Sequence, residues 1–461
     1  MTNPSTAHPQ NQAGRLRIAI VGGGIGGLTC AIALKNCENI QLDLYEAASE
    51  ISEIGAGITV WPRTWGLLRA LGLEEALVKG LEEPPNLGEL KVAFTMRKGD
   101  QRQGVPIFDM KMNGGSLNFH RRDIQQALLQ QLPSSHIHLN HRLVKCTETP
   151  QTVHLEFLDG SRVECDLLVG ADGIKSVVRR CLKGDNRWLP IYTGTLAFRG
   201  LVPRERLEKM NPAHRTLKSP TMYLGKNRVR RQVHKWPQKA TEICVKHIVV
   251  YPISQNRVIN VVAFHSKFED FGKPWSGPEV RDATRKEVLE VYEGWESEVQ
   301  ELLQCIEKPT CWVIQDVNPL DSYVGRRTLL LGDAAHAMTP HLGAGAGQAM
   351  EDAYILGVVI SATCCKPEDI LRIVQTYDAI RRPFCNYIVS TARKQVRYYE
   401  LDAPEFQDMR EQEGERLLSA QQMSTLAKTV SGHWSWASSS VDRDCQQAVA
   451  MITGGSKNPK L

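Results

Sequence analysis

Short apolar runs divide the N-terminal part of the chain into predicted strands and helices. The run 16–21 (LRIAIV) is rich in Ile and Val and leads directly into a glycine-rich turn. The stretch after the turn stays apolar over helical length, and 40–47 (IQLDLYEA) forms a second short run. Continuous runs of this kind are typical of parallel strands that are covered on both faces. The pattern predicts a β-strand–α-helix–β-strand unit.

Two later apolar runs end at glycine-flanked acids. Residues 166–170 (DLLVG) lead to Asp172, and residues 329–331 (LLL) lead through Gly332 to Asp333. Ligands in α/β sheets bind beyond the carboxyl ends of the strands. We therefore expect the 22–27 turn, Asp172 and Asp333 to lie at one edge of the same sheet. An alternative for Asp172 is a turn that caps the next helix, because Asp-Gly is a common turn pair.

The hydrophobic pattern changes twice further along the chain. From about residue 180 to 265 apolar and polar positions alternate, as in GTLAFRGLVP and NRVINVVAF, which predicts an antiparallel sheet. After about residue 345 the pattern is mainly helical. The predicted organisation is α/β: a disordered N-terminus at 1–14, a discontinuous Rossmann-type domain at 15–180 and 310–365, an inserted antiparallel β-sheet substrate domain at 181–309, and a helical C-terminal region at 366–461.

A basic stretch without strand periodicity interrupts the predicted antiparallel sheet. Residues 229–246 separate TMYLGKNR from HIVVYPIS, and joining these flanks gives one hairpin-like pattern. One hypothesis is a surface insertion, which loops tolerate. The other is a translated intron, because 18 residues are a whole number of codons and the Val-Arg start and Lys end are compatible with splice-site bases. A cDNA that lacks these codons would establish the second hypothesis.

Composition and charge exclude several classes of protein. The 461 residues are 42% apolar and 23% charged, which is ordinary for a globular chain of two or three domains. A net charge of +5 is too small to indicate a nucleic-acid partner, and no apolar run reaches the length of a membrane span. Because the N-terminus lacks an export signal, we expect a cytoplasmic protein with reduced cysteines. His336 and His341 lack a third ligand at metal spacing, so we expect no metal site.

Gly22, Gly24 and Gly27 have the spacing of a dinucleotide-binding turn. Glycine allows the tight turn and the close approach of a pyrophosphate, and the N-terminus of the following helix favours its charge. Glu46 ends the second strand 19 residues after Gly27, where an acid binds ribose hydroxyls. The unit therefore predicts FAD or NAD rather than NADP at this site, and does not by itself choose between them.

Three signatures together identify a family: Gly22-x-Gly24-x-x-Gly27, the triplet 171–173 (ADG) and Gly332-Asp333. With them, the chain resembles the group A FAD-dependent aromatic monooxygenases of the salicylate hydroxylase-like kind over about residues 15–455. The resemblance implies a PHBH-like fold and hydroxylation of a phenolic or salicylate-like substrate through a flavin C4a-hydroperoxide, with secondary metabolism as one setting. NADH or NADPH would be a transient co-substrate, and the absence of a second nucleotide-binding unit leaves the choice open.

The resemblance also implies roles for individual residues around FAD. Gly57 would line the adenosine or flavin edge, Arg121 would reach the cofactor, and Asp333 would bind its ribityl chain. The loop 343–347, which includes Ala346, would lie against the flavin ring. The expected FAD-binding residues are Gly22, Gly24, Gly27, Glu46, Gly57, Arg121, Asp333 and Ala346.

Arg199 and Tyr251 are the candidate substrate-binding residues. Each is a polar side chain within an apolar strand pattern, and the bland alternatives are an exposed strand face for Arg199 and core packing for Tyr251. By resemblance to fungal phenol-dearomatising members, the two would hold an anionic phenolic substrate. A guanidinium favours phenolate over phenol, and the phenolate ring is the better nucleophile.

Other functions that keep the FAD stay open from the sequence. One is an oxidoreductase or halogenase that does not hydroxylate, although the W-x-W-x-I-P halogenase signature is absent. Another is a non-catalytic flavoprotein. The expected partners are a small aromatic molecule and O₂, with neither nucleic acid nor stable membrane insertion, in a monomer or homodimer.

Overall fold

A computed structural model describes residues 15–52, 57–184, 186–226, 244–412 and 415–454. The predicted disordered N-terminus and residues 229–243 of the proposed insertion lie outside the described residues. The last residues of the proposed insertion belong to a β-strand, because Val245 and Lys246 pair with Ser266 and His265.

The strands occur in the following order. They are β1 (Leu16–Val21), β2 (Ile40–Tyr45), β3 (Gly57–Val60), β4 (Leu90–Lys98), β5 (Val105–Asn113), β6 (Leu117–His120), β7 (Ile137–His138), β8 (Leu143–Glu148), β9 (Val153–Phe157), β10 (Arg162–Cys165), β11 (Leu167–Gly170), β12 (Ile191–Pro203), β13 (Thr221–Gly225), β14 (Val245–Ile253), β15 (Val258–Ser266), β16 (Val280–Asp282), β17 (Thr310–Asp316), β18 (Thr328–Leu330), β19 (Arg410–Gln412) and β20 (Glu415–Leu417).

The α-helices are spread along the chain and become dominant after residue 345. They are α1 (Ile25–Leu34), α2 (Pro62–Ala70), α3 (Glu74–Val78), α4 (Arg121–Leu129), α5 (Val177–Lys183), α6 (Arg204–Met210), α7 (Arg285–Val291), α8 (Ser297–Gln304), α9 (Asp333–His336), α10 (Gly345–Ser361), α11 (Ile370–Tyr399), α12 (Ala420–His433) and α13 (Asp442–Thr453). Within the described residues, none of these helices combines the length and apolar character that crossing a membrane requires.

A five-stranded parallel sheet forms the first layer, in the order β18-β11-β1-β2-β7. Strands β18, β11 and β1 are almost entirely buried, as their continuous apolar sequences predict, whereas β2 and β7 toward the edge are partly exposed. Helices α1 and α10 pack together against it. Their close approach depends on small residues, because a Cβ at Gly26 would lie 2.8 Å from the Leu331 side chain and 3.1 Å from Ala349. The ends of β1, β11 and β18 therefore lie side by side at one sheet edge.

An eight-stranded sheet forms the second layer, in the order β16-β17-β12-β15-β14-β13-β4-β5. All its pairs are antiparallel except β4 with β13. It therefore extends beyond the predicted 181–309 segment on both sides, since β4, β5 and β17 also belong to it. The reason is that β13 has a free edge until β4 pairs with it, and such pairing between distant segments leaves no local sequence signal. The predicted domain boundaries stay a prediction.

The long helix α11 joins the two layers to the C-terminal region. Tyr377 and Cys385 on this helix pack into the core of the parallel sheet, while Ile388 and Tyr399 pack into a second core beneath the eight-stranded sheet. The second core also contains Trp434 and residues of β4 and β5. The C-terminal helices therefore brace both sheets.

Candidate active site

The turn after β1 is closed toward the protein and open on its outer side. Gly22 has a φ of 110°, and a Cβ there would lie 2.2 Å from the Ala171 carbonyl oxygen. A Cβ at Gly27 would lie 1.9 Å from the Gly22 carbonyl oxygen, so α1 packs directly on the turn. At Gly24, which begins α1, a Cβ would meet no atom within 4 Å. The open side at a helix N-terminus fits the pyrophosphate of a dinucleotide.

Glu46 lies beside this turn, immediately after β2. Its Oε2 accepts a hydrogen bond from the Gly23 backbone N–H at 2.6 Å, and its Oε1 accepts one from Ala48 at 2.8 Å. The structure thus brings Glu46 to the glycines as the spacing predicts. The contact with Gly23 holds the carboxylate at the outer side of the turn, where it is half-buried.

Asp172 caps a helix, which is the alternative that its Asp-Gly sequence left open. Its Oδ2 accepts hydrogen bonds from the backbone N–H groups of Val177 and Val178 at the start of α5, at 2.7 and 3.2 Å. Its Oδ1 accepts a hydrogen bond from the Ser176 hydroxyl at 2.5 Å. The carboxylate of this signature therefore orders the ADG turn and leaves little capacity for a ligand.

Asp333 lies on the opposite side of the β1 turn, at the start of α9. Gly332 allows the sharp exit from β18 with a φ of 62°, and the Asp333 side chain is exposed. Its Oδ1 would be 3.9 Å from a Cβ placed at Gly345, the first residue of α10. Arg179 holds this turn from below, because its Nη1 donates to the carbonyl oxygens of Asp333 and Ala334 at 3.3 and 2.9 Å. An exposed carboxylate on a fixed backbone can accept a hydrogen bond from a cofactor hydroxyl.

The loop between α9 and α10 faces the same space as Asp333. Gly343 has a φ of 53°, and its carbonyl oxygen accepts a hydrogen bond from the Trp61 indole at 3.1 Å. Ala346 is half-buried in the first turn of α10, and a Cβ at Gly347 would lie 2.7 Å from the Thr64 hydroxyl. The N-terminus of a 17-residue helix is thus presented beside Asp333. Its positive end would stabilise negative charge on a reduced flavin.

A buried charge cluster under α10 was not predicted from the sequence. The Arg381 guanidinium donates to Asp352 at 2.7 Å and to Glu351 at 3.3 Å, and the Arg63 Nε donates to Glu351 at 2.9 Å. Asp352 also accepts from His336 at 2.6 Å and from the backbone N–H of Gly332 at 2.9 Å. Burial alone raises the pKa of Asp352, but the charges of His336 and Arg381 lower it to about 2. The cluster fixes α10 to the Asp333 turn.

Replacing Arg381 with methionine should lower the free energy of unfolding by about 3–5 kcal/mol, because Asp352 and Glu351 would both lose the buried cation that they share and each would keep one other partner, His336 or Arg63. Urea unfolding monitored by circular dichroism measures the change. Arg382→Met is the matched control, since Arg382 is partly exposed and pairs with Asp378 on its own helix. A loss below about 1 kcal/mol in Arg381→Met would contradict the assigned role.

The same cluster contains the one group with metal-ligand geometry found among the described residues. Ligand atoms of His336, Asp352 and Cys385 lie within 4.8 Å of one another. The Arg381 guanidinium occupies the same neighbourhood, 2.7 Å from Asp352 and 3.2 Å from the Cys385 sulfur. A fixed cation at that position already neutralises the carboxylate, so the arrangement is an internal ion-pair cluster.

One face of the eight-stranded sheet carries the predicted substrate residues. Arg199 pairs in register with Val262, and Tyr251 pairs with Asn260 one strand further. Side chains alternate along a strand, so these positions share a face with His247 and Phe264. The face is opposed by β3, because a Cβ at Gly57 would lie 2.5 Å from the Tyr251 hydroxyl. Gly57 therefore lies against Tyr251 and Asn260, on the face that carries the predicted substrate residues.

Arg199 is available for a ligand on this face. Its guanidinium lies over the Trp312 ring, 4.9 Å from the ring centroid, and its Nε has no hydrogen-bond partner within the described chain. Burial lowers the pKa of Arg199, and the positive charge of Arg121 acts in the same direction. Arg121, at the start of α4, is therefore close to Arg199. Two neighbouring cations favour an anion between them.

Tyr251 and Asn260 add polar groups to the same face. Burial raises the pKa of Tyr251 to about 12, although the charges of Arg199 and Arg121 oppose this shift. The phenol thus keeps its proton at neutral pH and can donate a hydrogen bond. The buried Asn260 amide nitrogen lies beside the Tyr251 hydroxyl, and its hydrogen-bonding capacity is not filled within the described ranges. Because a buried unpaired donor costs free energy, both groups fit a site that an oxygen-bearing ligand completes.

His247 and His341 were not predicted as part of this face. His341 lies in the loop before α10, with its ring 5.2 Å from His247 and 5.0 Å from Phe264 between centroids. Burial lowers its pKa to about 3, and neither ring nitrogen has a partner among the residues that the structure describes. The loop that leads into GAGAGQ is thus joined to the sheet by contacts between tilted aromatic rings. An apolar strand pattern around His247 gave no signal of this contact.

His247 leads to a buried carboxyl, Glu400, at the end of α11. The His247 Nδ1 and the Glu400 Oε1 are 2.9 Å apart, and the Ser266 hydroxyl donates to the same oxygen at 2.8 Å. Burial lowers the pKa of His247 well below its ordinary value and raises the pKa of Glu400 well above it. Burial therefore favours the neutral form of both groups. The His247 Nε2 has no partner in the described part of the chain and remains able to meet a ligand.

Glu400→Gln should make thermal stability less dependent on pH. The raised folded-state pKa means that the folded protein keeps a proton that the unfolded chain releases above about pH 4.3. This stability is fully present below about pH 4.3 and falls by up to about 1.4 kcal/mol per pH unit as the pH rises toward the folded pKa. The melting temperature of Glu400→Gln should therefore rise relative to that of the wild type as the pH increases from about 5 to about 8. Substitution of the exposed Glu405 with Gln is the control. If the melting temperatures of Glu400→Gln and the wild type changed in parallel with pH, the prediction would be refuted.

Comparison with known proteins places this arrangement among flavoproteins. Residues 15–392 match the family described as FAD binding domain. The chain is 35% identical to a salicylate hydroxylase of Pseudomonas putida over 398 residues, covering 84% of this chain and 87% of the relative. It is 29% identical to a 6-methylsalicylate 1-monooxygenase of Aspergillus terreus over 397 residues, 84% of this chain and 83% of that protein. A salicylate hydroxylase substrate complex superposes with a TM-score of 0.79, 28% identity, and coverage of 94% and 98%.

Proposed function

Because the chain belongs to the FAD binding domain family, within which its relatives are FAD-dependent aromatic monooxygenases, we propose that it hydroxylates a phenolic aromatic compound held as its anion. The observation that carries the proposal is Arg199. Its half-buried side chain has a buried Nε that finds no hydrogen-bond partner among the described residues, next to Arg121 and Tyr251, on the sheet face opposite β3. That arrangement supplies positive charge where a phenolate would lie.

The residues around the β1 turn fit FAD. The open side of the turn would accept the pyrophosphate, Glu46 a ribose hydroxyl, and Asp333 the ribityl chain, while the first turn of α10 would face the flavin ring. When bound, FAD supplies electron transfer from NADH or NADPH and activation of O₂. The proposed cofactor contacts are Gly22, Gly24, Gly27, Glu46, Gly57, Arg121, Asp333 and Ala346.

The protein's own contribution would be binding, charge and exclusion of water. Arg199 and Arg121 lower the free energy of the phenolate relative to the phenol, and the Tyr251 hydroxyl can donate to its oxygen. Trp312, Phe94 and Phe264 supply apolar surface against which an aromatic ring can pack. A dry site strengthens each of these charge interactions and limits side reactions with water.

The activities for which the relatives are named leave the substrate within a broad class. Salicylate hydroxylase and 6-methylsalicylate 1-monooxygenase act on hydroxylated benzoic acids, and phenols without a carboxylate fit two cations as well. We propose O₂ as the second substrate, a cytoplasmic location, and a monomer or homodimer. The choice between NADH and NADPH is open.

A substrate screen tests the proposed function. The FAD-loaded protein is mixed with aromatic acids and phenols, and NADH or NADPH oxidation is followed by absorbance while the product is analysed by mass spectrometry. The expected result is a compound that stimulates nicotinamide oxidation and gains one oxygen atom. Protein that binds no FAD, or nicotinamide oxidation with peroxide as the only product across the screen, would count against hydroxylation.

A further inference from the structure

Two cysteines far apart in sequence meet at the surface, away from the candidate active site. Cys146 lies in the middle of β8, and Cys181 lies in the last turn of α5. The Cys181 sulfur accepts a hydrogen bond from the Cys146 backbone N–H at an N–S distance of 3.4 Å. Cys181 is exposed and Cys146 is partly exposed. Cys181 is therefore open to a small oxidant, and Cys146 lies directly beside it.

The two thiols differ in chemical character. The Cys146 thiol hydrogen bonds to the Cys181 sulfur, and this bond, with the Cys146 backbone N–H and the charge of Arg180, lowers the pKa of Cys181 to about 6. The same contact raises the pKa of Cys146. This contact therefore favours the thiolate form of Cys181 and the protonated form of Cys146. Reactive redox cysteines combine a low pKa with exposure and a nearby second thiol.

We propose that Cys146 and Cys181 form a reversible disulfide, with hydrogen peroxide as the oxidant. This modification site is independent of the proposed hydroxylation. The two cysteines do not form a known redox sequence motif, so the sequence alone assigned no redox role to them.

The chemistry balances in two steps. The Cys181 thiolate attacks one peroxide oxygen, the O–O bond breaks, and the leaving hydroxide takes a proton to become water. The Cys146 sulfur then attacks the sulfenic sulfur on Cys181, an S–S bond replaces the S–O bond, and a second water leaves. Two thiols lose two electrons, and one peroxide is reduced to two waters. A dithiol reductant returns both thiols.

The disulfide would join β8 to the helix that supports the Asp333 turn. Arg179, two residues before Cys181, donates to the carbonyl oxygens of Asp333 and Ala334. The start of the same helix is fixed by Asp172 through the backbone N–H groups of Val177 and Val178. Cys181 therefore lies on a helix, α5, that is anchored at its start and contacts the candidate site through Arg179.

Peptide mapping of the full-length, FAD-loaded protein after peroxide treatment tests the proposal. We expect a mass loss of about 2 Da per chain, a cross-linked peptide pair that contains Cys146 and Cys181, and recovery of both thiols with dithiothreitol. Cys364, another exposed cysteine, serves as the internal reference. Absence of the Cys146–Cys181 cross-link, or cross-linking of Cys181 to Cys364 instead, would overturn the proposal.

Single variants assign the role of each sulfur. Cys146→Ser should accumulate a sulfenic acid on Cys181 that dimedone traps, whereas Cys181→Ser should leave Cys146 unmodified. Cys364→Ser should form the disulfide as the wild type does. In the reduced wild type at pH 7, Cys181 should react with iodoacetamide at least about tenfold faster than Cys364. Equal rates, or dimedone labelling of Cys146 in Cys181→Ser, would contradict the assignment of Cys181 as the attacking thiolate.

Discussion

Gly27→Ala should lose tightly bound FAD while the rest of the protein stays folded. A Cβ at this position would lie 1.9 Å from the Gly22 carbonyl oxygen, so either α1 moves away or the turn reshapes. Each change disrupts the close backbone approach that the pyrophosphate requires. We expect FAD affinity to fall by at least about 100-fold, since a misplaced backbone removes several phosphate contacts. Fluorescence titration of the apoprotein with FAD measures the loss.

Gly66→Ala is the matched control for this substitution. Gly66 lies inside α2, and a Cβ there would meet no atom within 4 Å. Alanine is a better helix former than glycine, so this variant should bind FAD normally and be slightly more stable. Unchanged FAD affinity in Gly27→Ala, with a normal circular dichroism spectrum, would show that the turn is not the pyrophosphate site.

Arg199→Met should retain FAD and lose most of its hydroxylation activity. Removal of one partner of a charge pair at an interface costs about 2–5 kcal/mol, so kcat/KM for a phenolic substrate should fall by about 30-fold or more. Methionine fills a similar length, which limits the effect to the lost charge and hydrogen-bond donors. The measurement is product formation at several pH values, with the FAD content recorded in parallel.

Arg206→Met is the control for Arg199→Met, because Arg206 is on the surface and pairs with Glu307. The activity of the Arg199 variant should recover in part at higher pH, because the phenolic substrate then loses its proton in solution without the Arg199 charge. A variant with wild-type kcat/KM at neutral pH would show that the Arg199 charge does not select the phenolate.

The local part of the candidate cofactor site could be predicted because one short segment contains it. Gly22, Gly24 and Gly27 follow a buried strand and open a helix, so pattern and spacing suffice to place them. The predicted Rossmann-type α/β class is confirmed by the structure and by its similarity to a salicylate hydroxylase. Aromatic hydroxylation, the function that the resemblance implied, is confirmed for the family by the relatives.

The remaining part of the site depends on contacts between distant segments. His247 and Glu400 are 153 residues apart, and Arg63 and Glu351 are 288 residues apart. Nothing in the sequence near either partner indicates the other, because burial of a charged residue is decided by the elements that pack around it. The same reasoning explains β4 and β5, whose membership in the large sheet follows from pairing with β13. Arg199 and Tyr251 could be nominated as exceptions in apolar strands, but only the register shows that they share a face.

Incorporation of oxygen from labelled O₂ shows directly whether the protein hydroxylates its substrate. The FAD-loaded protein would turn over a phenolic substrate from the screen with NADH or NADPH under ¹⁸O₂, and mass spectrometry would determine the isotope content of the product. Monooxygenation predicts one ¹⁸O atom per product molecule, a mass increase of about 2 Da over the product formed under ¹⁶O₂. A product that contains only oxygen from water, or nicotinamide oxidation that yields labelled hydrogen peroxide and no labelled product, would contradict it.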